Sequence, residues 1–174
     1  MNGRPAPGEY TPYYGTYIHV VPEGEIIDIL ERQQAAITDW FRPLTEAQWA
    51  LRYAPGKWTV KEVLGHVTDT ERIMSYRLLR IARGDTTPLP GYDQDTFMEN
   101  EPFAGLTIEH MLEDFAAVRQ STLILLKGLT AEAWRREGTA DDSHLSASAL
   151  AYIIAGHAIH HMNIMEERYV PAFP

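Results

Sequence analysis

Three histidines lie within five residues near the end of the chain, in a stretch (residues 155–163) that is otherwise mostly apolar. His157 and His161 are four positions apart, so on an α-helix they lie about 40° apart around the axis and about 6 Å apart along it. Two neutral imidazoles in that arrangement can bind one divalent metal ion from a single helical turn. The spacing therefore predicts a metal site with His157 and His161 as ligands.

The third histidine and a non-metal explanation are the alternatives at this stretch. His160 falls to one side of the apolar stripe that carries the other two, so the pair at i and i+4 is favoured for shared ligation. The residue after His157 is Ala158, which excludes the H-E-x-x-H pattern of zinc proteases. Without a metal, His157 and His161 would be core histidines that are each satisfied by a hydrogen bond.

The elements that must position these histidines are helical. Apolar residues recur at three- and four-residue steps in four segments, which predicts four amphipathic helices packed as an all-α four-helix bundle. Thr59 and Glu62 form a capping box at the start of the second helix, and Gly128 follows the end of the third. The predicted helices span about residues 22–42, 59–83, 107–127 and 146–168, joined by long connectors.

A third ligand is expected from the inner face of another helix, because metal sites in bundles are built from facing helices. His66, on the second helix, is the best candidate. His110 and His144 lie at the beginnings of helices, and His19 lies in the N-terminal segment. Three histidine ligands leave one coordination position open, which is typical of catalytic rather than structural sites.

Two charged residues fall in the centre of apolar stripes, Glu71 on the second helix and Arg119 on the third. An isolated buried charge costs several kcal/mol, so each charge requires the other, and we predict a buried ion pair between the two helices. A structural role is one interpretation of this pair. The other places Glu71 beside the metal as a candidate catalytic group. Gln33, on the stripe of the first helix, also needs a polar partner.

Residues 1–21 and 85–105 lie outside the predicted helices. The first segment is rich in proline and tyrosine and predicts an extended N-terminal arm on the bundle surface, or a cover over a site or a dimer contact, with residues 22–170 as the bundle domain. The second is a long connector, a kind of segment that is often functional. Its Tyr92, Asp93, Asp95 and Phe97 could line or cover a pocket.

Composition excludes several function classes. The net charge of −9 argues against binding to nucleic acid and disfavours an anionic membrane surface. The absence of cysteine excludes disulfides and thiolate ligands. No apolar run reaches about 18 residues and no signal peptide is recognisable, so a cytoplasmic protein that binds a small molecule is expected. A homodimer is an option that the sequence leaves open.

Two segments together resemble the signatures of a known family. Residues 57–72 read KWTVKEVLGHVTDTER and residues 156–161 read GHAIHH. In this order and spacing they resemble the two signatures of the DinB/YfiT-like superfamily, and the similarity covers about residues 22–170. The resemblance implies an up-and-down four-helix bundle in which His66, His157 and His161 bind a divalent metal, commonly nickel, zinc or manganese.

For the function, the resemblance implies one of several activities. Relatives include thiol-dependent S-transferases, a mycothiol-dependent isomerase and provisionally assigned hydrolases. They imply a divalent-metal-dependent enzyme in which a metal-activated thiol or water attacks a small electrophilic substrate, with a low-molecular-weight thiol as cosubstrate in the transferase. The alternative is a non-enzymatic metal- or ligand-binding bundle of a stress response. Enzyme status, and the choice between transferase and hydrolase, stay open at this point.

Overall fold

A computed structural model describes residues 3–100 and 102–174. Four long helices form a bundle, and short elements occupy the segments between them. The long helices are α2 (Ile26–Phe41), α4 (Val60–Ala82), α6 (Ile108–Lys127) and α8 (Ala147–Ile164). The short elements are α1 (Pro12–Ile18), α3 (Glu46–Trp49), α5 (Gln94–Met98), α7 (Ala131–Trp134), and the strands β1 (Glu137–Ala140) and β2 (Ser143–Ser146).

The order of the four long helices in the sequence differs from their order around the bundle. Helices α2 and α4 lie diagonally opposite, and each packs against both α6 and α8. Lys61 at the start of α4 donates to the carbonyl of Leu106 just before α6, and Glu71 pairs with Arg119 further along. Helices α4 and α6 are therefore parallel neighbours.

The structure confirms the four-helix bundle, and its chain path refines the expected up-and-down order. Gln33 of α2 contacts Ala155 of α8 and Trp40 contacts Glu166, so α2 and α8 are also parallel. Up-and-down bundles join antiparallel neighbours by short loops. Here the connector between α4 and α6 (residues 83–107) runs back along α4 to the end where α4 began, and this return lets two consecutive helices point the same way.

Helix starts follow the predicted caps, with one exception. The capping box of Thr59 and Glu62 is present, and Ser146 caps α8 by accepting a hydrogen bond from the backbone of Ala149. Helix α2 begins at Ile26 rather than at the predicted residue 22. Gly24 has a φ of 137°, which is incompatible with a helix, so the first helical turn forms only after it.

The N-terminal arm packs on α8, as expected, but part of it is helical rather than extended. Pro12 supplies the fixed φ favoured in a first turn, and Tyr14 and Ile18 are buried one turn apart on the same face of α1. Arg4 donates to the carbonyls of Ile18 and Val21 at 2.7 and 2.6 Å and so anchors the end of the arm. The pair Tyr14 and Ile18 spans only one helical turn, which is too short a pattern to predict a helix from the sequence.

A two-stranded hairpin forms in the connector before α8. Strands β1 and β2 are antiparallel, and Asp141 and Asp142 form their two-residue turn with φ of 52° and 53°. Positive φ at both central residues is typical of a type I′ turn, which aspartate tolerates. The strands are only four residues long, so their alternation was not recognisable in the sequence.

Helix α8 is the central element of the core. Every residue from Ala147 to Ala158 is buried, so the first two thirds of the helix is enclosed on all sides rather than amphipathic. Within the described residues, no helix combines the length and the apolar character needed to cross a membrane. His157 lies near the end of this buried stretch, and His161 follows one turn later, where the helix is partly buried.

A buried polar network links all four long helices. Arg119 of α6 donates to both carboxylate oxygens of Glu71 on α4 at 2.8 to 3.0 Å, which confirms the predicted ion pair. Arg119 also donates to Gln33 Oε1 on α2, and Gln33 Nε2 donates to the carbonyl of Ala155 on α8. The network therefore fixes α8 two residues before His157.

Candidate metal centre

The antiparallel packing of α4 against α8 brings three histidines together. His66 lies in the second turn of α4, and His157 and His161 lie one turn apart on α8. Residues 66, 157 and 161 form the one group of three or more potential ligand side chains found within the described residues. His66 and His157 are buried and His161 is partly buried.

The spacing of the ring nitrogens fits a shared metal ion. One nitrogen from each of the three rings lies within 4.8 Å of the other two, and Nε2 of His66 is 3.1 Å from Nε2 of His157. Two imidazole nitrogens on a tetrahedral zinc ion, each at about 2.0–2.1 Å, would be about 3.3 Å apart. Among the described residues, His161 makes no side-chain hydrogen bond, so its nitrogens are available to a ligand.

Burial keeps these imidazoles neutral, which is the form that binds metals. It lowers the pKa of His66 to about 4 and that of His161 to about 3. Coulombic interactions with neighbouring imidazoles add to this effect, from His160 at His66 and from His66 and His160 at His161. Burial also lowers the pKa of His157 well below its usual value, assisted by the other histidines.

Glycines allow other parts of the chain to close over the histidines. Gly65 precedes His66, and a Cβ at Gly65 would lie 2.3 Å from the ring of Phe103. Gly156 precedes His157, and a Cβ there would lie 1.9 Å from the carbonyl oxygen of Tyr17 in α1. Both distances are far below van der Waals contact. Only glycine permits the connector and the N-terminal helix to pack this tightly beside the histidines.

Aromatic rings shield the cluster from water. The Tyr17 ring packs edge-on against His157 and His160, with centroid distances of 5.5 and 5.6 Å. The indole of Trp58, just before α4, lies 4.8 Å from the His66 ring. The arm therefore contacts the histidine cluster through Tyr17, and a covering role for the arm stays a prediction.

Two pockets adjoin the histidine cluster. The first, of about 400 Å³, is bordered by His157, and the second, of about 330 Å³, is bordered by His161. Asp95 of α5 borders both pockets. The remaining lining of the first pocket is Tyr13, Tyr14, Tyr17, Thr70, Met74, Arg77, Tyr92, Asp93, Gln94, Asp141 and Ile153. The remaining lining of the second is Tyr53, Gly56, Lys57, Trp58, Val63, Ile164 and Tyr169.

The other predicted polar residues have distinct positions. The Glu71 carboxylate is fully engaged by Arg119 within the helix network and borders neither pocket. Asp69 forms an ion pair with Arg72 on the partly exposed face of α4. His160 is exposed beside the cluster, and its ring centroid is 5.2 Å from that of His161.

Pocket residues from the connector were partly anticipated. Tyr92, Asp93 and Asp95 line a pocket as expected, and the Phe97 ring packs against Tyr92 at 5.3 Å. Arg77 was not recognised as a site residue, because its position on the flank of α4 has no distinguishing pattern in the sequence. In the sequence, Arg77 could be seen only as a cation on a helix flank that is followed by a long connector.

Comparison with known proteins identifies the family. The sequence profile of the DinB superfamily matches residues 29–165, which is most of the chain. The chain belongs to the DinB superfamily. A relative from Bacillus pumilus named "Putative metal-dependent hydrolase" is 29% identical over 136 residues, covering 76% of this chain and 75% of the relative.

Solved structures share the DinB fold. YfiT from Bacillus subtilis, described as "a probable metal-dependent hydrolase with an unusual four-helix bundle topology", superposes with a TM-score of 0.76 at 20% identity, covering 84% of this chain and 85% of YfiT. The mycothiol-dependent maleylpyruvate isomerase superposes with a TM-score of 0.67 at 16% identity, covering 83% of this chain and 61% of the isomerase. A DinB-like protein from Bacillus subtilis gives a TM-score of 0.61 at 13% identity, covering 86% and 92% of the two chains.

These comparisons agree with the chemistry of the site. Two relatives carry names that refer to metal dependence, and the three-histidine group of this chain suits a divalent metal ion. One structural neighbour is named as a thiol-dependent enzyme. The DinB fold described here therefore also occurs in proteins that are named as metal-dependent or as enzymes.

Proposed function

We propose that this protein is a divalent-metal-dependent hydrolase of small molecules, with His66, His157 and His161 as the metal ligands. The observation that carries the proposal is the convergence of three imidazole nitrogens within 4.8 Å, between two pockets. Three protein ligands leave a coordination position for water or substrate, as in catalytic rather than structural sites. Nickel, zinc and manganese are the candidate ions, since imidazole suits several divalent metals.

The chain's own residues provide the surroundings of this reaction. A divalent ion held by the three histidines would lower the pKa of a water or thiol and so would supply a nucleophile near neutral pH. Asp95, which is exposed and lines both pockets, is the acceptor that we assign to the proton lost by that nucleophile. Tyr17 and Trp58 pack against the histidine rings and limit the access of bulk water.

Glu71 acts as a positioning residue in this proposal rather than as a proton acceptor. Its carboxylate accepts hydrogen bonds from Arg119, and Arg119 is linked through Gln33 to the backbone of α8. The carboxylate is occupied by this ion pair and borders neither pocket, so it does not reach a substrate. Its contribution is to hold the helix that carries His157 and His161.

Thiol transfer is the second candidate reaction, and the presence of two pockets favours it. A transferase must hold a thiol and an electrophile at the same time, whereas hydrolysis needs room for one substrate and water. The pockets beside His157 and His161 provide separate spaces of about 400 and 330 Å³. The named thiol dependence of the structurally similar isomerase supports the same candidate.

Metal content tests the site itself. Untagged wild type, His161→Ala and the matched control His160→Ala are compared by elemental mass spectrometry. We expect about one divalent ion per chain in wild type and in the control, and its loss in His161→Ala. Absence of metal from wild type after reconstitution would leave His157 and His161 as core histidines and would favour a non-enzymatic ligand-binding bundle.

Turnover distinguishes the reactions. The metal-loaded protein is given ester, amide and epoxide substrates with and without a low-molecular-weight thiol. Hydrolysis proceeds without thiol, whereas a transferase consumes the electrophile only when the thiol is present. Asp95→Asn should lower kcat in either case while the metal content stays unchanged. An unchanged kcat would remove Asp95 from the mechanism.

A further inference from the structure

The bundle contains two buried arginines in opposite situations. Arg119 is fully buried and its guanidinium is paired with the carboxylate of Glu71. Arg77 of α4 is only 2% exposed. Among the ion pairs of the described residues, none includes Arg77. Its guanidinium therefore makes no direct ion pair with a carboxylate among these residues.

The contacts of Arg77 satisfy only part of its guanidinium. Nη2 donates to the carbonyl of Pro90 at 2.7 Å, and Nη1 faces the thioether sulfur of Met74 at 3.7 Å, which is a weak acceptor. The guanidinium lies 5.8 Å from the centroid of the Tyr92 ring. A guanidinium has five N–H donors and keeps its charge in proteins, so donors remain for another acceptor.

An unpaired buried cation is costly, and this one borders a pocket. The cost of desolvating a charge is several kcal/mol unless a counter-ion and hydrogen bonds compensate for it. Arg77 borders the 400 Å³ pocket together with His157. A counter-ion that arrives in that pocket would complete the hydrogen bonding of Arg77.

Arg77 and the histidine cluster lie at different levels of α4. Arg77 is eleven residues after His66, which is about 16 Å of helix rise. Helical side chains point back towards the N-terminus, so the distance that a ligand must span is shorter than this rise. The hydroxyls of Thr70 and Tyr92, which border the same pocket as Arg77, are hydrogen bonded to each other at 3.0 Å.

We propose that Arg77 forms an anion subsite that binds a single carboxylate group of the small-molecule substrate. The remaining charged side chains of the pocket are Asp93, Asp95 and Asp141, which are exposed. Their negative charges disfavour ligands with a second anionic group and phosphate dianions. The substrate class of the proposed hydrolase is therefore a small molecule with a single carboxylate group. The subsite rests on the proposed function only for the reaction, and not for the binding of the carboxylate.

Binding of butyrate tests the subsite without requiring catalysis. The ¹⁵N-labelled full-length protein is titrated with butyrate and with the neutral isostere butyramide, and the Arg77 Nε–Hε signal is assigned by its loss in Arg77→Met. We expect butyrate to shift this signal and to bind about tenfold or more tightly than butyramide. Equal affinities for the two probes would overturn the proposal, and this comparison needs no variant.

Variants locate the binding. Arg77→Met should weaken butyrate binding about tenfold or more, whereas Arg80→Lys, an arginine on the same helix that pairs with Asp85 outside the pocket, should leave it unchanged. Retention of full affinity in Arg77→Met would overturn the proposal. Tighter binding of inorganic phosphate than of butyrate would contradict the carboxylate assignment.

The same titration in His161→Ala separates this proposal from the proposed function. If butyrate binding persists there, the carboxylate is held by Arg77 independently of any metal. If it disappears, the carboxylate was bound at the histidines and the subsite is refuted. A wild-type protein that holds no metal but still binds butyrate through Arg77 would refute the hydrolase and leave the subsite in place.

Discussion

Replacement of Arg119 by alanine removes the cation from a pair that is almost inaccessible to solvent. The side chains of Arg119 and Glu71 are 0% and 2% exposed, and two of their three N–O contacts are 2.8 Å long. The substitution leaves the Glu71 carboxylate buried without its partner and also removes the donors to Leu30 and Gln33. We expect a loss of about 3–5 kcal/mol in the free energy of unfolding.

This loss is measured by urea denaturation at pH 7, with the melting temperature as a second readout. For a chain of this length about 2–4 °C is lost per kcal/mol, so the expected fall is roughly 6–20 °C. Arg72→Ala is the matched control. Arg72 pairs with Asp69 and Asp114 but is 45% exposed, so its loss should cost less than about 1 kcal/mol.

A double variant tests the reasoning behind the magnitude. If the cost comes from an orphaned charge, Glu71→Leu combined with Arg119→Met should be more stable than Arg119→Met alone, because no unpaired charge remains. A loss below about 1 kcal/mol in the free energy of unfolding for Arg119→Ala would show that water stabilises the Glu71 carboxylate once Arg119 is removed, and would refute the expected magnitude. Strict additivity of the two single variants would refute the coupling.

Two further predictions concern the glycines beside the histidines. Gly156→Ala should displace the N-terminal helix, because its Cβ would lie 1.9 Å from a backbone oxygen of that helix. The backbone amides of residues 14–18 should then exchange their hydrogens faster than in wild type. Gly128→Ala, whose Cβ would make ordinary contacts at 3.6 Å, is the control, and unchanged protection in Gly156→Ala would contradict the packing. Gly65→Ala should lower metal affinity, measured by competition with a chromophoric chelator, because its Cβ would lie 2.3 Å from the Phe103 ring and force α4 or the connector to move. Addition of Phe103→Leu should restore part of that affinity, and failure of this rescue would point to a cause other than the collision.

The sequence predicted the parts of the structure that depend on local periodicity and on charge burial. The four long helices follow their apolar spacing, and Thr59 begins α4 as its capping box indicated. Glu71 and Arg119 could be paired because each would be untenable alone in an apolar stripe. His157 and His161 lie together because they are four residues apart on one helix, and His66 lies beside them on the facing helix.

The path of the chain around the bundle could not be predicted in the same way. Apolar periodicity defines which face of a helix is buried but not which helix covers it. The parallel packing of α4 and α6 depends on the course of residues 83–107 along α4, and the pairing of Arg77 with Pro90 depends on the same course. Arg77 is buried by this long-range contact, so its sequence position resembled that of any exposed flanking residue.

Helix α1 connects the shape of the pocket to a part of the chain outside the family match, which begins at residue 29. Tyr13, Tyr14 and Tyr17 form one wall of the pocket beside His157, while the three candidate ligands all lie on the bundle. One wall of this pocket and the three candidate ligands thus lie in separable segments of the chain. Exchange of the first 21 residues between homologues would replace that wall while the three histidines and Arg77 stay in place.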